Sequence, residues 1–264
     1  MRPSEAVPIP FLQNRLDPVR EPVVVTTPSL TPTPARRTWW TSPAALAAVV
    51  LVGVGLRAAE LGGGRNLWID EAMLAINLVE RSPAGLLKPL DWNQGAPVGF
   101  LLAVKVVIAE LGTSEWALRL VPFVGSLLGL AGFAWVAPRL IPRPAAVLGT
   151  VLMALSPVMI SYSAECKQYA IDAALTVGLF AAAVGLLTGQ GGTRRWVVLA
   201  VAGMAAVWVS HPAAFVLGGI GTALLAAAAV ARDRRRFLAA AATTGAWLVS
   251  FGACYLLFTR QLRG

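Results

Sequence analysis

Long apolar runs recur along this chain, separated by short polar stretches rich in arginine, glycine or proline. At about 1.5 Å of rise per residue, a helical run of roughly 20 residues crosses the hydrocarbon layer of a bilayer. The pattern predicts spans at about 43–59, 116–137, 144–161, 169–188 and 196–211, a sixth ending before Arg232, and a seventh at about 237–258. The expected fold is all-α, a polytopic transmembrane bundle of about seven spans with two interfacial helices in its first outer loop.

Residues 96–111 decide that topology. They are apolar, but Lys105 sits in their middle and the run is short for a crossing. If they crossed, the loop holding Arg139 and Arg143 would face outward. If they lie on the surface, ten arginines in four clusters, with Asp233 as the one acid among them, fall on the inner side. That agrees with the excess of positive charge found in cytoplasmic loops, so we adopt the surface reading. The stretch 61–115 then forms the first outer loop and 162–168 the second. Arg260 and Arg263 would end outside, against the trend. Within the first loop, a helix is expected from about Ile69 to Arg81. Ile69, Met73 and Ile76 form its apolar stripe, and Glu80-Arg81 close the other side.

Composition supports membrane embedding. The chain is 57% hydrophobic and 13% charged, whereas a soluble domain has about a quarter of its residues charged. Its net charge of +9 would suit nucleic acid on one soluble face, but the arginines are dispersed between spans and no stacking motif accompanies them. Residues 1–37 hold eight prolines and no sustained apolar period. They read as a disordered tail, with no apolar core for a cleaved signal. Arg36-Arg37 before Trp39-Trp40 puts the tail in the cytoplasm. Cys166 and Cys254 have no disulfide or metal spacing.

On this topology the outer side collects Asp70, Glu71, Glu165, Lys167, Tyr169, Asp172 and His211. Ionisable groups at membrane depth are costly, and their default reading is a substrate or ion pathway. The plain alternatives are equally concrete. Asp70-Glu71 could simply favour a helix start, Glu165 could pair with Lys167, and His211 could be structural. Functionally, Lys167 offers a cation for a phosphate, while Asp172 offers a carboxylate for a sugar or leaving group. Tyr169 can stand between them.

The stretch from Leu61-Gly62 through Arg65-Asn66-Leu67-Trp68-Ile69-Asp70-Glu71-Ala72 resembles the first outer loop of GT-C membrane glycosyltransferases. It is most similar to the branch related to protein O-mannosyltransferases and to aminoarabinose transferases acting on lipid A. Ala96-Pro97 to Leu102 resembles that family's second surface helix, and Glu115 to Pro122 the start of its next span. Ser156-Pro157 to Asp172 resembles its second outer loop.

The resemblance implies an inverting transferase that takes a sugar from a polyprenyl-phosphate donor. The acceptor would be a lipid, glycan or protein on the outer side of the membrane, and no nucleic acid is involved. Asp70 would be the general base, and Glu71 would orient Asp70 or contact the acceptor. Lys167 would hold the donor phosphate as negative charge grows there. Asp172 would be a second acid lining the cavity.

Two departures stand out. Where the family often has His-Pro-Pro or Glu-Lys-Pro, this chain has Asn93-Gln94-Gly95-Ala96-Pro97, so Gln94 can hydrogen-bond a sugar but brings no charge. Family members also usually continue past seven spans, which makes this chain a fragment, a half needing a partner chain, or an inactive remnant. The resemblance suggests no cofactor, although Asp70, Glu71 and Asp172 could hold a hard divalent cation. A different class remains open, a transporter or lipid-carrier flippase. Such proteins tend to show paired broken helices related by a repeat, and no such repeat is visible.

Overall fold

A computed structural model describes residues 42–259, so the tail 1–37, the Arg36-Arg37/Trp39-Trp40 segment and Arg260 and Arg263 lie outside the described residues. Ten α-helices follow one another: α1 Pro43–Gly62, α2 Ile69–Glu80, α3 Val98–Leu111, α4 Glu115–Leu140, α5 Arg143–Leu155, α6 Pro157–Ser163, α7 Tyr169–Leu187, α8 Thr193–Val209, α9 Ala213–Val230 and α10 Arg234–Cys254. No strand occurs among the described residues. Among the described residues, five helices are long and apolar enough to cross a membrane, and a sixth crossing results if α5 and α6 count together. This is an all-helical protein with the character of an integral membrane protein.

Three expected segments differ in detail. The run 144–161 is not one straight helix: α5 and α6 meet at a 54° bend. The cause is local, since Pro157 has no N–H to donate and starts a new helix behind the Ser156 cap. The stretch expected at 196–211 forms α8, 17 residues long, or about 26 Å. The third, the short helix expected at 96–111, starts two residues later as α3, whose 14 residues give a length of about 21 Å. Its Lys105 is engaged, donating from Nζ to the Leu78 and Val79 carbonyls at 2.7 and 3.2 Å. Those are last-turn carbonyls of α2, and a cation there also suits the helix dipole.

The helix bend is held by a buried cation. Arg57 of α1 is fully enclosed. Its guanidinium donates to the Ala154 and Met153 carbonyls, which the break has freed, at 3.0 Å each. It also donates to the Gly53 carbonyl at 3.0 Å and to Ser126 Oγ of α4 at 2.7 Å. One side chain thus ties α1, α4 and the end of α5 together. In hydrocarbon, carbonyls left without donors would each cost several kcal/mol.

Close packing elsewhere relies on small residues, as expected where lipid removes the hydrophobic drive between helices. Along α4, Gly125 and Gly129 face Ile171 and Ala174 of α7, and a Cβ on Gly129 would lie 3.3 Å from the Ala174 Cα. Gly129→Leu is therefore expected to destabilise the protein by roughly 1–3 kcal/mol through overpacking. A fall in the thermal midpoint of the detergent-solubilised protein would register it.

Two apolar cores result. One joins α2, α3 and the start of α4 around Leu74, Leu78, Phe100 and Val104. The other joins α7 to α10 around Leu199, Leu217 and Trp247. The buried face of α2 carries Glu71, Leu74, Ala75, Asn77 and Leu78. The expected Ile69–Met73–Ile76 stripe is thus not the packed face, and Ile69 is 75% exposed.

Candidate functional site

The first wall of the site is the N-terminal turn of α2. A helix start leaves N–H groups without partners, and the two acids supply acceptors. Glu71 Oε2 accepts from the Trp68 N–H at 3.0 Å, and Asp70 Oδ1 accepts from the Glu71 N–H at 2.9 Å. The helix-start role therefore accounts for one oxygen of each acid. The other two oxygens point to different partners.

Glu71 turns inward. It is 1% exposed, and its Oε1 accepts from the Cys166 N–H at 2.7 Å and lies 3.8 Å from Arg119 Nε. Arg119 of α4 is equally enclosed and donates from Nη1 to the Arg65 carbonyl at 2.8 Å. Its Nε and Nη2 have no hydrogen-bond partner, so its attraction to Glu71 is mainly Coulombic. This pair pins α2, α4 and the turn between α6 and α7 together. Of the two roles implied for Glu71, its enclosure suits orientation and leaves it no open side for an acceptor.

Burial pushes the Cys166 thiol up to about 12, and the neighbouring Glu71 charge adds to the effect. The thiolate is the reactive form, and a raised value keeps the sulfur protonated at neutral pH. In a Cys254→Ser background, Cys166 is expected to resist maleimide from pH 7 to about pH 9 until the protein is unfolded. Mass spectrometry of the alkylated protein reads this directly.

Asp70 turns outward. Its side chain is 56% exposed, and Oδ2 lies 3.4 Å from Lys167 Nζ. Lys167 belongs to the second wall, the turn between α6 and α7, where its own N–H donates to the Glu165 carbonyl at 2.7 Å. Its Nζ also donates to Gln94 Oε1 at 3.0 Å. The cation is therefore nearly buried but has an acid and an amide as neighbours at the mouth.

Gln94 reaches that position from an unusual backbone. Trp92 and Asn93 just before it have φ of 57° and 53°, a left-handed conformation uncommon for tryptophan. Asn77 holds this turn from α2, its Oδ1 accepting from the Asp91 N–H at 2.9 Å, and Arg81 pairs with Asp91 at 2.8 Å. Strained backbone held by its surroundings tends to occur at functional positions.

The remaining expected residues divide. Tyr169 leans on Tyr162, with ring centroids 4.7 Å apart, and lies near Asp70, Glu165 and Asp172. Asp172, one turn into α7, has a buried Oδ1 without a partner. Glu165 does not pair with Lys167. It lies 3.7 Å from Arg65 and accepts from Ser161 Oγ at 3.0 Å. His211 lies at the turn between α8 and α9, on a small cavity of about 30 Å³ shared with Leu86, Ala96 and Cys254.

Among the described residues, no group of three or more His, Cys, Asp or Glu side chains is arranged to hold a metal ion. The cation cage considered for Asp70, Glu71 and Asp172 does not form, because Glu71 is turned away into its pairing with Arg119. Arg65, Asn77 and Arg119, which organise the site, were not among the candidates read from the sequence.

Comparison with protein-family models, curated proteins and solved structures gave no match. What the cluster can do follows from its chemistry. It joins a desolvated ammonium to a solvent-facing carboxylate 3.4 Å away and a neutral amide 3.0 Å away. A carboxylate can take a proton, an ammonium can hold an oxyanion, and an amide can orient a polyol.

Proposed function

We propose that the chain is an integral-membrane inverting glycosyltransferase that moves a sugar from a polyprenyl-phosphate donor to an acceptor. The observation that carries this reading is the Asp70–Lys167 pair at 3.4 Å, with Gln94 on the same ammonium. The motif resemblance of residues 61–72, 96–102, 115–122 and 156–172 to GT-C transferases gives the pair its assignment.

In the proposed reaction Lys167 binds the donor phosphate and exchanges its contact with Asp70 for one with the phosphate oxygens. Asp70, released from the cation, accepts the proton of the acceptor hydroxyl as that oxygen attacks the anomeric carbon. The bond from that carbon to the phosphate oxygen breaks on the opposite face, and polyprenyl phosphate leaves with the electron pair. Gln94 orients the sugar, and Tyr169 and Asp172 line the same side.

The topology that suits this reading has seven spans, α8 included, with α2 and α3 lying in the outer interface. Ile69 and Ile76 on the exposed side of α2 would then meet lipid, and exposed Trp68 would anchor its start. The arginine-rich turns would be cytoplasmic and the site would face outward, away from nucleotide sugars.

A transporter or flippase is favoured by one observation, the broken α5–α6 pair, since such proteins bind at broken helices. Here Arg57 itself occupies the freed carbonyls. The two readings separate in proteoliposomes loaded with a labelled polyprenyl-phosphate sugar and an envelope extract as acceptor pool. Release of polyprenyl phosphate, with the sugar transferred and its anomeric configuration inverted, supports the transferase. Movement of intact donor between leaflets without release overturns it.

A further inference from the structure

The ends of α4, α7 and α8 remote from Asp70 enclose an open groove of about 750 Å³. The distance is set by α4, whose 26 residues run from Glu115 beside the site to Leu140, or about 39 Å. Its lining combines apolar Val136, Ala181, Val184 and Val198 with Arg139, Arg194 and Arg195. No carboxylate lines it.

Each arginine is presented differently. Arg139 lies 3.9 Å over the Trp135 ring and donates to the Trp135 carbonyl. Arg195 donates to the Gln190 carbonyl beyond the end of α7. Arg194 is exposed in the first turn of α8, which follows Gly192 and has no side-chain cap. The helix dipole adds positive potential at that point. Asp233, the one acid within the 232–236 arginine run, is used elsewhere, accepting from the Arg236 N–H at 3.1 Å.

We propose that this groove is a binding site for an anionic phospholipid. The phosphodiester sits among the three guanidinium groups, and the acyl chains follow the apolar wall. The occupant is a lipid rather than a free phosphate because the basic rim continues into exposed apolar surface. Val197, Val198 and Val201 on α8 are 54%, 53% and 55% exposed, and Leu128 and Trp135 on α4 are 65% and 57% exposed. A soluble anion would gain nothing from that wall, whereas acyl chains cover it. The site lies apart from the Asp70–Lys167 pair, and its occupancy does not depend on whether the chain transfers sugar.

The test uses the full chain purified in neutral detergent and titrated with phosphatidylglycerol or with phosphatidylcholine of the same acyl chains. Bound lipid is counted by native mass spectrometry. Phosphatidylglycerol is expected to remain bound under conditions that strip phosphatidylcholine. Arg194→Gln should weaken it about fivefold, and Arg139→Gln by a similar factor. Arg235→Gln, an exposed arginine of α10 outside the groove, should change nothing. Because Arg194 is exposed at a helix start, its loss leaves the fold intact, and an unchanged thermal midpoint verifies that. Equal retention of the two lipids would overturn the proposal. So would equal weakening by Arg235→Gln, or full displacement of phosphatidylglycerol by millimolar inorganic phosphate.

Discussion

Glu71→Ala is expected to destabilise the protein by about 3–5 kcal/mol, the usual cost of stranding one member of a buried ion pair. Glu71 and Arg119 are 1% and 2% exposed, with 3.8 Å between them. Removing the carboxylate leaves the enclosed guanidinium with only the half-exposed Glu115, 3.8 Å from Nη1, as counter-charge. It also strips an acceptor from the Trp68 and Cys166 N–H groups, and unpaired buried donors carry their own penalty. Glu71→Gln keeps an acceptor oxygen while losing the charge, so it should fall between wild type and Glu71→Ala.

The double variant Glu71→Ala/Arg119→Met removes both charges. It should recover part of the loss, giving a coupling energy of a size seen for contacting residues, roughly 0.5–3 kcal/mol. Thermal or denaturant midpoints in one detergent provide all the values. Additive single effects would mean that the two charges do not support each other.

The sequence was most legible where length alone decides. Apolar runs located α1, α4, α7 and α9 because a crossing helix needs an unbroken apolar stretch and little else. The helix after Trp68 ended near its expected limit because Arg81 and Ser82-Pro83 stop it. The packed face of that helix was not legible. Where one side of a helix can meet lipid and the other protein, both sides tolerate apolar residues, so the Ile69–Met73–Ile76 stripe carried no information about packing. The buried side is instead marked by Glu71 and Asn77, whose partners lie in other segments.

Pairing of charges was legible only in part. Lys167 and Asp70 were both singled out, but their contact depends on a turn between α6 and α7 folding against the start of α2. Glu165 and Lys167 are near in sequence, yet each finds its partner far away, Arg65 for the first and Asp70 with Gln94 for the second. Arg119 falls in the Glu115–Pro122 stretch that resembles the start of a span. Nothing in its spacing indicated that it would be enclosed beside Glu71. The break between α5 and α6 had a visible signal in Ser156-Pro157, which a reading by apolar length alone passes over.

Asp70→Asn is expected to leave the chain folded and to lower sugar transfer by about 10²–10⁴-fold, the usual contribution of a general base. The asparagine oxygen can still accept from the Glu71 N–H, as Asp70 Oδ1 does at 2.9 Å, so the first turn of α2 survives. What disappears is the charge at Oδ2, 3.4 Å from Lys167 Nζ. Lys167 keeps its bond to Gln94 at 3.0 Å, and on the proposed mechanism it would still bind the donor phosphate. The defect should therefore appear in turnover more than in donor binding, as expected when an interaction acts in the transition state.

The decisive measurement compares wild type and Asp70→Asn side by side in proteoliposomes of equal thermal midpoint, following release of polyprenyl phosphate from a labelled donor as sugar moves to the acceptor pool. Steady release by the wild type, with a loss of about 100-fold or more in the variant and donor affinity preserved, is the predicted result. Equal release by the two proteins would contradict the assignment of Asp70 as the base, and so would no release by either.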